Sequence, residues 1–182
     1  VAGDLTKFIK VVATGSSGYA GTATSAATAA VAPAPLSAIG AITGTARIGS
    51  VLTAGAVTPA GATVTYQWKI ATTVGGVYAD IVGETANTYT PVAGDVAKFI
   101  KVEATGSGFY TGSKLSAATV AVAKAPLTAI GAITGTVQVS SVLTAGALTP
   151  AGATATYKWK RANTTGGAYS YIAGATANTY TL

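Results

Sequence analysis

Along Thr63–Ile70 (TVTYQWKI) the apolar side chains of Val64, Tyr66, Trp68 and Ile70 alternate with Thr65, Gln67 and Lys69. A period of two with large apolar groups on one face predicts a half-buried β-strand. The same alternation returns in TATYKWKR, where Trp159 is the second of the chain's two tryptophans. Each tryptophan is expected to anchor a core of its own. Across residues 34–123 the pattern predicts seven short strands, at about 36–43, 50–57, 63–71, 77–82, 87–91, 98–105 and 116–123. Turn signals separate them: Gly44, Pro59-Ala60-Gly61, Gly75-Gly76, Gly83, Ala93-Gly94-Asp95 and the stretch Gly106–Gly112. Short strands punctuated in this way predict an all-β sandwich.

The pattern repeats itself. VAGDLTKFIKV at residue 1 returns as VAGDVAKFIKV at 92, APLSAIGAITGT at 34 as APLTAIGAITGT at 125, and ETANTYT at 84 as ATANTYT at 175. Each offset is 91, and pairing residue i with i+91 gives 63 identities in 91 ungapped pairs. The chain is thus two near-copies of one 91-residue unit, cut out of frame with the expected fold. Residues 34–123 are expected to form one complete repeat. Residues 1–33 would be the last two strands of a repeat and 124–182 the first five strands of another, completed by residues 1–33 of a neighbouring copy. TYTL at the C-terminus followed by VAGD at the N-terminus reproduces the TYTP–VAGD join at 88–95, which would bring Leu182 of one copy to Val1 of the next.

The VLTAGA stretch, the P-x-G-x-x-x-x-Y-x-W spacing and the TYTP–x–x–G–D–x–x–K–x–I–K–V run resemble bacterial immunoglobulin-like repeats of secreted, surface and adhesin-type proteins. The resemblance covers the whole unit and implies tandem immunoglobulin-like seven-stranded β-sandwiches with an extracellular setting. The cysteine pair of antibody-type domains is missing. Leu52 or Ala54, with Ile100 or Val102, would fill that space around Trp68.

Composition narrows the chemistry. There is no cysteine and no histidine, which removes disulfides, thiol nucleophiles, the usual general base and the commonest zinc ligand. A chain free of cysteine and methionine suits an extracellular or cell-surface location. No apolar run reaches the ~18 residues that span a bilayer, and the chain lacks a basic start followed by an apolar segment, so it reads as a mature product or a fragment. The net charge of +6, from 11 basic and 5 acidic residues, is spread without a run of like charge. That argues against a nucleic-acid arm and leaves anionic cell-wall polymers or glycans as the partners that charge favours.

Each candidate site has a plainer alternative. Trp68 and Trp159 could stack on a sugar, but their place on the apolar face of a strand favours core anchors. Asp95 with Lys98, repeated as Asp4 with Lys7, carries two groups of an intramolecular isopeptide bond, yet the spacing fits a turn cap beside a solvated lysine. The glycine-rich stretches Gly106–Gly112 and Gly15–Gly21 lack the helix that a phosphate loop needs and are expected to be hairpins. In YKWKR (157–161) alternation turns Lys158 and Lys160 away from Tyr157 and Trp159, which spoils a joint basic–aromatic site. Five dispersed acidic residues make no calcium cage. Asn163-Thr164-Thr165 fits a glycosylation acceptor by chance, since its twin lacks the asparagine.

The expectation from sequence is therefore a non-enzymatic chain with no cofactor and no metal. Its role would be structural, a stalk, fibre or surface-layer element built by head-to-tail continuation of immunoglobulin-like domains. The alternative is an adhesin that grips a glycan or host protein through the loop aromatics Tyr19, Phe109 and Tyr110. Other copies of the chain are expected as partners, without nucleic acid and without membrane insertion.

Overall fold

The structure, a computed structural model, describes residues 2–182; the expected approach of Leu182 to Val1 of another copy falls outside them. Apart from two single 3-10 turns, Ala2–Asp4 and Ala93–Asp95, every regular element among these residues is a β-strand. Two strands reach eight residues, Val64–Ala71 and Phe99–Gly106. They pair antiparallel along their whole length, with Ile100 opposite Ile70, Val102 opposite Trp68 and Ala104 opposite Tyr66. Ala79–Asp80 joins the outer edge of the first and Ser113–Leu115 that of the second, giving one four-stranded sheet.

Besides isolated bridges such as Thr43 with Thr53, the other pairings among the described residues are seven two-stranded sheets of two or three residues a side. Val12–Thr14 pairs with Thr22–Thr24, Ala38–Ile39 with Val57–Thr58, and Leu52–Thr53 with Thr88–Tyr89. Ala34–Pro35 runs parallel to Tyr110–Thr111. Further along, Ala129–Ile130 pairs with Leu148–Thr149, Val142–Thr144 with Thr179–Thr181, and Lys160–Arg161 with Ser170–Tyr171.

These eight separate, open sheets overturn the expectation of tandem immunoglobulin-like seven-stranded sandwiches. The resemblance to bacterial immunoglobulin-like repeats fails with it, as does the role as a stalk, fibre or surface-layer element, which required such domains in series. The repeat in sequence is matched only in part by the architecture. Val64–Ala71 is a full strand, whereas its counterpart, residues 155–162, holds only Lys160–Arg161.

Local chemistry explains why the ladders stop short. The strands expected near 36–43 and 50–57 meet at a glycine crossing: a Cβ on Gly55 would lie 2.3 Å from the carbonyl carbon of Gly40. Glycine inside a strand marks such close approaches and interrupts pairing. Gly146 lies over Gly131 at the same 2.3 Å. Gly55→Ala is therefore expected to destabilise the N-terminal unit by about 1–3 kcal/mol through overpacking. An unchanged urea midpoint would show that the crossing relaxes freely.

The strand expected at 116–123 is absent for a different reason. There the chain meets Phe99–Gly106 at every third residue instead of every second. The Ser116 amide donates to the Val102 carbonyl (2.9 Å), Thr119 to Ile100 (2.9 Å) and Val122 to Lys98 (2.8 Å). Between them the side chains serve as acceptors. Ser116 Oγ takes the Val102 N–H at 3.0 Å and Thr119 Oγ1 takes the Ile100 N–H at 3.1 Å. Hydroxyl side chains here replace the backbone ladder.

The core sits between these segments. Leu52, Trp68, Ile100 and Val102 are fully buried, and Tyr89 and Val122 nearly so. Ile39, Ile42, Ile48, Ala54, Tyr66, Ile70 and Ile81 pack around them. Leu52, Ile100 and Val102 thus all occupy the space around Trp68. The chain forms two compact units, the first ending at Lys124 and the second spanning Ala125–Leu182.

Candidate basic–aromatic patch

The most elaborate polar constellation belongs to the core of the first unit. Trp68 Nε1 donates to the Ala86 carbonyl at 2.9 Å, and its ring lies 5.6 Å from that of Tyr89, tilted by 35°. The Tyr89 hydroxyl donates to Asp95 Oδ2 at 2.5 Å, and the Val92 amide donates to the same oxygen at 2.8 Å. Burial, reinforced by the Asp95 carboxyl group, pushes the Tyr89 phenol well above the usual tyrosine range. Asp95 is itself buried and caps the 3-10 turn Ala93–Asp95. Lys98 is half-buried, and its backbone amide donates to the Asp95 carbonyl. The Asp95 carboxyl group is taken up by Tyr89 and Val92.

Trp159 repeats the geometry of Trp68 in the second unit. Its Nε1 donates to Ala177 O at 3.0 Å, its ring lies 5.5 Å from Tyr180 at a tilt of 32°, and it is buried. Both tryptophans thus face inward and neither offers a stacking platform.

The loop aromatics do not form one surface of a common type. Tyr19 is 82% exposed and Phe109 49% exposed, but Tyr110 is half-buried and lies in the pairing with Ala34. The adhesin alternative attached these residues to immunoglobulin-like modules that the fold does not contain, and it is withdrawn with them. Each glycine-rich loop is closed on itself, Gly106 N–H to Gly112 O and Gly15 N–H to Gly21 O, both at 2.9 Å. Asn163 stands exposed. A shallow depression of about 480 Å³ along Ala173–Thr181 is lined by alanine, glycine, threonine and Tyr180. Among the described residues no three His, Cys, Asp or Glu side chains converge, and no helix is long and apolar enough to cross a membrane.

What alternation alone missed is a patch on the second unit. Lys158 and Lys160 do point away from Trp159, but a third residue waits on that face. Tyr171, across the short ladder from Lys160, lies 63% exposed beneath both ammonium groups. Lys160 Nζ is 4.5 Å and Lys158 Nζ 5.4 Å from its ring centroid. Cations within about 6 Å of an aromatic face are drawn to its electron-rich centre.

The matching positions of the first unit are built differently. At the matching position Lys69 is bound by Asp80 at 2.6 Å and Glu103 at 3.2 Å. The Asp80 hydrogen bond is the main cause of its raised pKa; burial opposes the rise and Glu103 adds to it. In the second copy Tyr171 replaces Asp80 and Lys158 replaces Gln67. From Ala125 to Leu182 there are three cations, Lys158, Lys160 and Arg161, and no carboxylate side chain. The signal was legible as the two substitutions Gln67/Lys158 and Asp80/Tyr171, once their positions were known to be cross-strand neighbours. No known family model matches this chain, and no curated protein matches it.

Proposed function

We propose that this chain is a non-catalytic extracellular module that binds an acidic polysaccharide through Lys158, Lys160 and Tyr171. The observation that carries this reading is the pair of lysines gathered over one exposed tyrosine in a unit without a carboxylate side chain. Ammonium groups meet the carboxylates or sulfates of such a polymer, and tyrosine edges and faces suit sugar rings. The +6 net charge adds a long-range attraction. The absence of histidine and cysteine supports a non-catalytic role, and the sulfur-free composition supports an extracellular one.

Polygalacturonate is the probe, with dextran as the neutral control, measured by calorimetry at low salt. The parent is expected to bind polygalacturonate and not dextran, with affinity that falls as salt screens the charges. The double variant Lys158→Gln/Lys160→Gln should lose about tenfold, since exposed charge contacts contribute on the order of 1 kcal/mol each at most. Equal binding by parent and variant, or binding of dextran, would refute the reading. Tighter binding of single-stranded DNA than of the polysaccharide would reassign the patch to nucleic acid.

A further inference from the structure

The chain contains one sequence module twice, once with its partner strand and once without. In the first unit Val64–Ala71 is paired with Phe99–Gly106, whose Ile100, Val102 and Ala104 are fully buried. The counterpart of the first strand is residues 155–162, and that of the second is residues 8–15. Both counterparts stand open. Phe8 is 68%, Ile9 47%, Val11 67% and Val12 61% exposed. The other segment keeps the pairing of Lys160–Arg161 with Ser170–Tyr171, the counterpart of Lys69–Ile70 with Ala79–Asp80, and lacks the long ladder on its other edge.

Each open half already has the conformation it has when complete. In the N-terminal segment Ser25, Thr28 and Val31 donate their amides to Val11, Ile9 and Lys7, as Ser116, Thr119 and Val122 do to Val102, Ile100 and Lys98. The Ser25 and Thr28 hydroxyl oxygens accept the Val11 and Ile9 amides at 3.1 Å, matching Ser116 and Thr119. In the second unit the Trp159–Tyr180 pair and the Trp159–Ala177 bond copy Trp68–Tyr89 and Trp68–Ala86. Preformed surfaces lose little conformational entropy on joining.

We infer that residues 155–162 are a docking edge for a second copy of this chain, whose residues 8–15 add as an antiparallel strand in the register of the complete unit. Val11 then lies opposite Trp159, Ala13 opposite Tyr157, Ile9 opposite Arg161 and Thr14 opposite Thr156, transposed from the four pairs Val102–Trp68, Ala104–Tyr66, Ile100–Ile70 and Thr105–Thr65. Lys101 sits 4.5 Å over the Tyr78 ring in the complete unit. Lys10 of the incoming copy takes the ring of Tyr169, which is 52% exposed in the free chain. An unpaired strand edge carries free backbone donors and acceptors, so a matching strand completes it.

This inference is independent of the polysaccharide reading, and salt separates the two. Lys10 comes opposite Lys160, and Val12 stands where the complete unit has Glu103. The junction therefore sets like charges together and is held by apolar burial. Association should strengthen as salt rises, whereas polyanion binding weakens.

The test uses the full chain in sedimentation velocity from low to high micromolar concentration. The parent is expected to associate with rising concentration, and Val11→Asp to weaken association by about tenfold or more. Val11 is exposed in the free chain, so that variant should keep the parent's melting curve. Separately purified Thr14→Cys and Thr156→Cys chains, once mixed and oxidised, should form a disulfide-linked heterodimer. Thr14→Cys mixed with Ala162→Cys should not. A parent that stays monomeric overturns the inference, as does association indifferent to Val11→Asp. So does a Thr14→Cys/Thr156→Cys double variant that closes only within one chain.

Discussion

Trp68→Ala is expected to remove about 3–5 kcal/mol from the stability of the N-terminal unit, through lost burial and the cavity left behind. The side chain is fully enclosed and touches the centre of everything that holds the unit together. Val102 faces it across the long ladder, Leu52 and Ile100 close around it, and Tyr89 lies against its ring. Its Nε1 satisfies the Ala86 carbonyl, which truncation leaves without that donor. A loss of this size is a large share of the ~5–15 kcal/mol that a whole domain commands. Trp159→Ala is expected to cost less, although the residue and its two immediate partners are the same. Leu143 and Tyr180 around it are less enclosed than Leu52 and Tyr89, and no long strand covers it. Urea unfolding followed by Tyr fluorescence and circular dichroism measures both. Equal midpoints for Trp68→Ala and the parent would place Trp68 outside the core, and equal losses for the two variants would contradict the asymmetry.

That asymmetry also marks where sequence reasoning reached and where it stopped. The alternation of Val64, Tyr66, Trp68 and Ile70 identified a strand whose position was read to within a residue, because an uninterrupted apolar face demands a partner of equal length. Phe99–Gly106 was legible on the same ground, through Ile100, Val102 and Ala104. Elsewhere the pattern was carried by alanine, threonine and glycine, which bury too little to hold a long ladder, and the strands expected there shrank to two or three residues. Ser116, Thr119 and Val122 recur every third residue, a spacing that an expectation of alternation reads as noise. It records hydroxyls standing in for backbone acceptors. The immunoglobulin-like expectation failed for a related reason. A motif of shared turns and one tryptophan specifies local geometry, such as the Trp–Tyr pairs, without specifying that sheets close. Of the site, Lys158 and Lys160 were visible and correctly turned outward. Tyr171 was not connected to them, because a cross-strand neighbour eleven residues away is set by the fold of the turn between.

Raising the pH above about 10 should unfold the first unit progressively, and Tyr89→Phe should remove much of that sensitivity. The sign follows from the protonated form being the one the fold favours. The Tyr89 phenol is held above its unfolded value of about 10 by burial first, and next by the Asp95 carboxyl group to which it donates. Its contribution is therefore fully present below about pH 10 and is lost as pH climbs toward the raised folded value. Each pH unit over that range costs at most about 1.4 kcal/mol. Lys69, raised chiefly by its bond to Asp80, acts in the same direction and leaves a smaller residual slope in the variant. Tyr78, raised by burial, acts in that direction as well. The partner carboxylate gives the independent check. Asp95→Ala strands the Tyr89 hydroxyl and the Val92 amide without their shared acceptor, at about 1–3 kcal/mol for the buried hydroxyl and about 1–2 kcal/mol for the part-buried amide. The expected total is about 2–5 kcal/mol at neutral pH. Urea midpoints at pH 7, 9, 10.5 and 11.5 for parent, Tyr89→Phe and Asp95→Ala measure both effects. A parent whose midpoint is flat across that series, or a Tyr89→Phe chain as alkali-sensitive as the parent, would show that the phenol is not held by this contact.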